Sequence, residues 1–358
     1  MKVKTVKLAK NNAHKKNSSK NPNEKKEKKN PVVGKKVKRA DGVTEYLVKK
    51  IMSDTAIKSR VGTYFPESHY SLILRENADV YSVDDNGKKE LLVSFRKNVL
   101  PDKLCKIGIE CLKKAAMKKH DNRGAAAGPL RKSTLPKYAN DFSKHYNKNS
   151  NRNNGNNGNN IYYRTNGYFS KKNGKFVNNS LSNTSMSNII GYFDKPDRNI
   201  KVNAPKCRET AFTSQQVEKW KKVVPLIQEI DKQYKLLIPD KHKLQLKQAR
   251  QTPKFNIKGT SFSTVTINYN WRTALHTDKG DLPQGFGNLV VLEEGKYDGG
   301  YTGFPQYGVC VDVRHGDFLG MDVHKFHCNT QIKPITKEYS RLSLVCYLRE
   351  KMIRCRHL

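Results

Sequence analysis

The sequence predicts an α+β fold in which a jelly-roll core, a double-stranded β-helix, is flanked by helices. From Phe255 onward the chain consists of short strand-like runs separated by Gly and Pro turns. Such runs recur about every 10–20 residues, a spacing typical of a sandwich or jelly roll. Segments with helical periodicity lie before this region and are expected to pack outside it.

The strand predictions rest on β-branched and aromatic runs bounded by turn residues. Two runs precede the β-rich half, Leu91–Phe95 after the turn Asp84–Gly87, and Cys207–Phe212. The runs of the β-rich half are Thr260–Asn270, Asn288–Glu293, Gly308–Val313, Asp317–Met321 and Arg341–Tyr347.

Two helices are predicted from capping residues and apolar spacing. One opens at Pro101-Asp102, and its apolar positions are Leu104, Ile107, Cys111 and Leu112. The other opens at the capping box Thr213–Gln216, is kinked by Pro225 and is closed by Pro239. Its apolar stripe is predicted to be core and comprises Val217, Trp220, Val224, Ile227, Ile230 and Tyr234.

Composition divides the chain into a tail and one domain. Residues 1–40 hold 15 Lys and Arg against 2 Asp and Glu, with few large apolar side chains, which predicts a disordered basic tail. Residues 41–358 are predicted to form a single domain. An Asn- and Gly-rich stretch places a low-complexity insertion at about 145–185.

The charge of the chain favours a polyanionic partner. The formal net charge is +37, and residues 41–358 alone hold 54 basic against 30 acidic side chains. DNA is the leading candidate because Lys and Arg contacts to phosphates release counterions. The alternative is an ordinary Lys-rich composition without a nucleic-acid partner. No obligate protein partner is evident.

The sequence also indicates where the chain is not expected to act. No window approaches the ~18 apolar residues that span a bilayer, and the charged N-terminus does not resemble a secretory signal. The seven cysteines are scattered without C-x-x-C spacing, which favours a reducing compartment over a zinc site or disulfide framework. The basic patch Lys35–Arg39 predicts a nuclear location if the source is eukaryotic.

A candidate metal centre begins with His276 and Asp278, which follow a β-rich run and enter a polar turn. If the strand continues regularly to His276, Asn268, Asn270 and Arg272 share its face, because side chains alternate along a strand. Repeated polar groups on an inward face indicate a ligand site, in which Asn268 and Asn270 are predicted to contact a cosubstrate and Arg272 the substrate. The alternative for these three residues is an edge strand with a solvated polar face.

The candidates for the second imidazole are His324 and His327. Alternation along a strand does not distinguish between them. His327 is favoured because the run His-Cys-Asn-Thr stands where a strand would return to the metal. Two imidazoles and one carboxylate on one face of Fe(II) leave positions open for a cosubstrate and O₂.

Arg341 opens the last predicted strand and is the candidate for binding that cosubstrate. A guanidinium group can grip a carboxylate of 2-oxoglutarate through two hydrogen bonds. Ser343 shares its face and can donate a further bond. The alternative role for Arg341 is a structural ion pair.

With these motifs assembled, residues 260–350 resemble the TET/JBP family of Fe(II)- and 2-oxoglutarate-dependent nucleic-acid dioxygenases. The chain lacks the Cys-rich region of the animal enzymes, so it looks like the compact members of the family. Weaker similarity extends over most of 95–352. The matching segments are His276–Asp281, Gly316–Thr330 and Arg341–Met352.

The resemblance implies a jelly roll that uses Fe(II), 2-oxoglutarate and O₂, with His276, Asp278 and His327 as ligands. It implies an oxidoreductase that flips a 5-methylpyrimidine out of duplex DNA and hydroxylates its methyl group, 5-methylcytosine first and thymine second, as in DNA demethylation. Asp281 would lie near the flipped base. One branch of the family uses ascorbate in place of 2-oxoglutarate, so ascorbate is the alternative cosubstrate that the resemblance implies.

Arg123, in the loop Asn122–Gly128, is the candidate for entering the gap left by the base or for contacting phosphate. Its alternative is an ordinary exposed loop arginine. For the whole chain, the alternative function is a dioxygenase of the same fold that acts on a protein side chain or a small molecule. A third reading is a DNA-binding protein with an inactive oxygenase fold.

Overall fold

The computed structural model describes residues 30–83, 86–131, 161–162, 168–170, 175–177, 182–195 and 206–355. Its helices are α1 Asp54–Lys58, α2 Asp102–Ala116, α3 Ala211–Gln215, α4 Val217–Leu237 and α5 Pro239–Ala249.

A major sheet of eleven strands forms the centre of the described fold, in the order β1-β2-β4-β5-β18-β14-β21-β13-β11-β12, with β6 paired to β11. Its strands are β1 Val37–Lys38, β2 Thr44–Val48, β4 Ala78–Val83, β5 Lys89–Arg96, β6 Lys119–His120, β11 Ser185–Lys195, β12 Lys206–Glu209, β13 Thr264–Tyr269, β14 Gly287–Glu294, β18 Phe318–Met321 and β21 Ser340–Tyr347.

A minor sheet in the order β19-β16-β17-β3 faces the major one, and short strand pairs complete the described structure. The minor-sheet strands are β3 Leu72–Leu74, β16 Thr302–Phe304, β17 Val309–Val311 and β19 Cys328–Asn329. The short pairs join β15 Tyr297–Gly299 to β20 Ile332–Pro334, β7 Leu130–Arg131 to β8 Ile161–Tyr162, and β9 Tyr168–Ser170 to β10 Lys175–Val177.

The two faces of the major sheet have different surroundings, because side chains alternate along each strand. On β21, Leu342, Leu344 and Cys346 enter an apolar core beneath α2 and α4. Fully burying such a side chain contributes about 1.5–3 kcal/mol. The intervening residues, Arg341 and Ser343 among them, face a cavity on the other side. Apolar side chains from both sheets fill the rest of that side: Leu289, Val291, Phe304, Val309 and Val311.

These observations confirm the predicted fold class, the helix after Pro101 and the strand runs of the β-rich half. The predicted turn Asp84–Gly87 joins two antiparallel strands, β4 and β5, although residues 84–85 lie outside the described residues. The charged residues of α2 stabilise it. Asp102 lies in the first turn and Lys113 and Lys114 lie in the last, where their charges interact favourably with the helix dipole.

The predicted tail boundary at residue 40 is wrong. Val32 forms a bridge with Val48, and β1 pairs with β2, so backbone pairing at a sheet edge gives part of this segment a defined structure. Residues 1–29 lie outside the described residues. So does most of the predicted insertion. The strands β6 and β11, which precede and follow it in the chain, pair with each other.

Three local predictions were wrong. The run Cys207–Phe212 is a strand only to Glu209, since Ala211 begins α3. The hydroxyl of Thr213 accepts a bond from the Gly191 amide rather than capping α4. That helix begins after Gln216 without a side-chain cap, and this places Val217 at its exposed first position.

The cysteine prediction also needs correction. Cys207 and Cys355 are paired as a disulfide across 148 residues of sequence, and their Cα atoms lie 5.6 Å apart. Scattered spacing does not exclude a bridge between residues that only the fold brings together. Within the described residues, no helix combines the length and apolar character needed to cross a bilayer.

Candidate active site

The two histidine-bearing segments lie side by side in the space between the sheets. The amide of His276 donates to the carbonyl of His327 at 3.0 Å, and the reverse bond has the same length. This antiparallel bridge places both imidazoles on one side, with ring centroids 4.4 Å apart. The pairing depends on the fold, since fifty-one residues of sequence separate the two positions.

Hydrogen bonds fix which ring nitrogen faces the cavity. His276 Nδ1 lies 2.8 Å from the Ala274 carbonyl and His327 Nδ1 lies 2.9 Å from the Lys325 carbonyl. A carbonyl oxygen can only accept, so each Nδ1 carries the proton and each Nε2 keeps its lone pair. That tautomer is the one a metal ligand requires.

Asp278 completes a three-residue cluster. Its Oδ1 lies 3.6 Å from His276 Nε2, and its Oδ2 lies 3.7 Å from His327 Nε2. One ligand atom from each residue lies within 4.8 Å of the other two. The Asp278 amide donates to the Val323 carbonyl at 3.0 Å, which ties the turn to the segment before His327. Two nitrogens and one carboxylate around a common point suit a non-haem Fe(II) site.

Burial favours the neutral imidazole that such a site needs. Desolvation, with a smaller contribution from His276, lowers the pKa of His327 to about 4. A proton therefore competes weakly with a metal for this nitrogen near neutral pH.

His324 is not part of the cluster, although it also lines the cavity. Its Nε2 lies 3.2 Å from the Leu282 carbonyl, and its amide donates to Asp322 Oδ1. The structure thus brings His327, the favoured alternative, to Asp278. Its role as a ligand stays a prediction.

The segment before His276 is held by elements from the first part of the chain. The Ala274 amide donates to the Ala126 carbonyl at 2.9 Å, and the Leu275 amide donates to the Thr63 carbonyl at 2.8 Å. The loop that carries Arg123 is therefore bonded to the segment before His276 and forms one wall of the site.

Arg341 lies at one end of a cavity of about 1290 Å³ that also contains the three-residue cluster. The side chain is almost fully buried, with 2% of the residue exposed. Its Nε and Nη2 have no hydrogen-bond partner within the described residues. An unpaired buried cation is costly, so this end of the cavity fits an anionic ligand such as a carboxylate.

Ser343 and Asn268 lie beside Arg341 on the same wall. Asn268 Nδ2 donates to Ser343 Oγ at 3.3 Å, while its buried Oδ1 has no partner among the described residues. Both side chains line the cavity, as the alternation argument predicts.

The same argument fails for Asn270 and Arg272, which do not line the cavity. The strand ends at Tyr269 and Asn270 has a positive φ of 44°, so the alternation does not continue. Asn270 bonds the backbone around Arg341 instead. The guanidinium of Arg272 donates to the carbonyls of Phe65 and Asn329 and lies over the Tyr64 ring.

The opposite end of the cavity holds Asp281, Arg123, Tyr347 and Arg349. Asp281 is buried, and its Oδ2 has no partner among the described residues. Burial raises its pKa well above the usual range, and the Asp278 charge adds to this. Burial also raises the pKa of Tyr347 to about 12, and the charges of the other three residues all act on that phenol. These four side chains line one cavity, where the backbones of Asp281 and Arg349 form an antiparallel bridge, and they are called the polar cluster below.

Both arginines of this cluster are anchored. Arg123 Nε donates to Ser187 Oγ at 2.7 Å, which rules out the ordinary exposed loop arginine. Arg349 Nε donates to Asp194 Oδ1 at 2.6 Å, and its guanidinium lies 4.0 Å from the centre of the Phe193 ring.

Sequence reasoning missed Tyr347 and Arg349. The alternation that relates Arg341 to Ser343 would have placed residues 345, 347 and 349 on the same face. It also missed the exposed cations Lys58 and Lys279 that line the cavity rim. The fold brings these two lysines to one cavity from distant parts of the sequence, which no local pattern shows.

Comparison with known proteins shows which proteins the part of the chain that carries this site resembles. Residues 188–350 match the Tet_JBP model, described as the oxygenase domain of the 2OGFeDO superfamily. Thymine dioxygenase JBP1 of Trypanosoma brucei brucei is 39% identical over 165 residues, which are 46% of this chain and 19% of that protein. The bifunctional helicase and thymine dioxygenase JBP2 of Leishmania braziliensis is 35% identical over 161 residues, 45% of this chain and 14% of that protein.

The chain thus spans less than a fifth of the length of either relative. The structure of NgTET1 in complex with 5mC DNA superposes with a TM-score of 0.45 and 11% identity, covering 86% of this chain and 83% of that one. Residues 188–350 are thus similar to the oxygenase domain of the TET/JBP family within the 2OGFeDO superfamily.

Proposed function

We propose that the chain is an Fe(II)- and 2-oxoglutarate-dependent dioxygenase that oxidises the methyl group of a 5-methylpyrimidine in DNA. One observation carries the proposal. His276, Asp278 and His327 converge in the same cavity as Arg341, a buried guanidinium with unpaired donors. A candidate metal site and a candidate anion site thus share one cavity.

The side chains of the cavity fit the two groups that the superfamily uses. His276, Asp278 and His327 would hold Fe(II), which, when bound, supplies the oxidation of the methyl group with O₂ and 2-oxoglutarate. Arg341 would bind the distal carboxylate of 2-oxoglutarate, with Ser343 donating a second bond. We propose 2-oxoglutarate rather than ascorbate because a guanidinium fork matches a carboxylate, which ascorbate lacks.

The proposed macromolecular substrate is duplex DNA. The net charge of the chain is +37, and Lys58 and Lys279 are exposed where they line the cavity. A base stacked in a duplex cannot reach side chains that lie inside a cavity, so the target nucleotide would have to flip out of the helix. Lysines at the rim are suited to contact the phosphates on either side.

Among 5-methylpyrimidines we propose thymine first and 5-methylcytosine second, the reverse of the order that the sequence suggested. The polar cluster offers two guanidinium donors, Arg123 and Arg349, and one carboxyl group, that of Asp281, whose Oδ2 has no partner among the described residues. The Watson–Crick edge of thymine alternates acceptor, donor and acceptor, which complements that set. The curated relatives are named thymine dioxygenases.

A nuclear location in a eukaryotic cell follows from a chromosomal substrate and remains part of the proposal. The patch Lys35–Arg39 supports it weakly. It contains β1, and Arg39 pairs with Asp41 and Asp79 rather than standing free.

An oxidation assay tests the substrate class against the alternative of a protein or small-molecule substrate. Duplex DNA and peptide pools would each be incubated with the full chain, Fe(II) and 2-oxoglutarate, and succinate release would be measured. The proposal expects release that depends on DNA. Turnover of peptides together with unaltered DNA would contradict it.

Deleting residues 1–29 is expected to weaken DNA binding while sparing chemistry. The segment holds 11 Lys and Arg against 2 Asp and Glu, so its loss should make the logarithm of affinity less steep against the logarithm of salt concentration. Turnover at saturating DNA should be retained. A salt titration that gives equal slopes before and after the deletion would contradict this prediction.

A further inference from the structure

Asn270 occupies an unusual backbone position next to Arg341. Its φ is 44°, in the left-handed region that side chains other than glycine rarely adopt. Among the described residues with such a φ, Asn98 is the other that is not glycine. Asparagine tolerates this conformation better than most residues, and here it stands where β13 leaves the sheet.

Asn270 forms hydrogen bonds with both the backbone amide and the backbone carbonyl of Arg341. The Arg341 amide donates to Asn270 Oδ1 at 2.6 Å, and the Asn270 amide donates to the Arg341 carbonyl at 2.9 Å. Asn270 Nδ2 donates to the Tyr339 carbonyl at 3.3 Å. One asparagine thus holds the backbone at the start of β21.

The guanidinium end of Arg341 has less support. Its Nε and Nη2 lack protein partners in the described part of the chain. On one side Gly300 leaves room for it, since a Cβ there would lie 3.2 Å from Nε and 3.4 Å from Cδ. The direction of the side chain therefore depends on how its backbone is anchored.

We propose that Asn270 is a positioning residue that acts through Arg341, setting the guanidinium for the carboxylate of 2-oxoglutarate without touching that ligand. The inference rests on the proposed function. It replaces the expectation of a direct cosubstrate contact with an indirect role. Loss of the anchoring bonds would let Arg341 sample other directions, which weakens ligand binding and leaves the metal ligands in place.

The test is a calorimetric titration of 2-oxoglutarate into the full chain loaded with Mn(II), a metal that does not turn over the cosubstrate. Asn270→Gly keeps access to the positive φ and removes the side-chain bonds. We expect this variant to bind 2-oxoglutarate roughly tenfold more weakly, which corresponds to about 1.4 kcal/mol. Asn270→Asp, which keeps the acceptor oxygen, should recover most of the affinity.

Asn98→Gly is the matched control, because it makes the same substitution at a residue that also has a positive φ. The backbone amide of Asn98 donates to Asp317 Oδ1 and not to Arg341. The inference expects native 2-oxoglutarate affinity in this control, native Mn(II) affinity in all three variants, and a raised KM for 2-oxoglutarate with a retained kcat in Asn270→Gly.

Equal 2-oxoglutarate affinity of the native chain and Asn270→Gly would overturn the inference and leave the proposed function intact. So would an Asn270→Gly variant that loses Mn(II) and 2-oxoglutarate affinity together, since that indicates general disruption. A native, metal-loaded chain that does not bind 2-oxoglutarate would instead overturn the proposed function, and the inference with it.

Discussion

Asp278→Ala is expected to reduce turnover to background and to abolish stoichiometric binding of Fe(II). The carboxylate lies within 3.7 Å of both imidazole Nε2 atoms, and without it two neutral nitrogens remain to hold the ion. Asp278→Asn should also fail, because the amide is uncharged and binds a divalent ion less strongly than a carboxylate. Metal content after dialysis, together with succinate release, measures both effects.

His324→Ala is the matched control for this prediction. It removes an imidazole that lines the same cavity and lies three residues from His327, but bonds the Leu282 carbonyl instead of facing Asp278. Native iron content is expected in this variant. Loss of iron in His324→Ala with retention in His327→Ala would show that the ligand assignment is reversed.

Arg341→Ala is expected to raise the half-saturating concentration of 2-oxoglutarate on the order of a hundredfold, since a pair of charge-assisted hydrogen bonds contributes about 3 kcal/mol or more. Arg341→Lys should fall between the native chain and the alanine variant because an ammonium lacks the planar fork. Kinetic titration of 2-oxoglutarate at saturating DNA gives the measurement.

DNA affinity provides the internal control for Arg341→Ala. The residue is 2% exposed and offers almost no surface to a phosphate, whereas Lys58 and Lys279 are exposed, so duplex binding should be nearly unchanged. If the variant lost DNA binding and cosubstrate binding equally, Arg341 would be a structural residue.

The sequence predicted most of the centre because its chemistry depends on short spacings. The pair His276 and Asp278, the polar turn after them and the start of β21 at Arg341 can each be recognised within a few residues. Alternation along β21 also predicts correctly that Arg341 and Ser343 share a face. The same rule would have extended to Tyr347 and Arg349.

Features that depend on distant segments could not be predicted in this way. Asp194 reaches Arg349 across 155 residues, and Cys207 reaches Cys355 across 148. Asn270 was misjudged for a local reason, because its positive φ interrupts an alternation that polarity alone suggested would continue. In each case the deciding fact is a pairing or a dihedral angle that the residue types leave open.

Nucleoside mass spectrometry on two designed duplexes tests the central claim most directly. One duplex contains thymine and unmethylated cytosine, and the other contains 5-methylcytosine with every thymine replaced by uracil. We expect 5-hydroxymethyluracil from the first duplex, in an amount matched by succinate, a smaller yield of 5-hydroxymethylcytosine from the second, and neither product with the Asp278→Ala variant. A native, iron-loaded chain that leaves both methyl groups intact would contradict the claim.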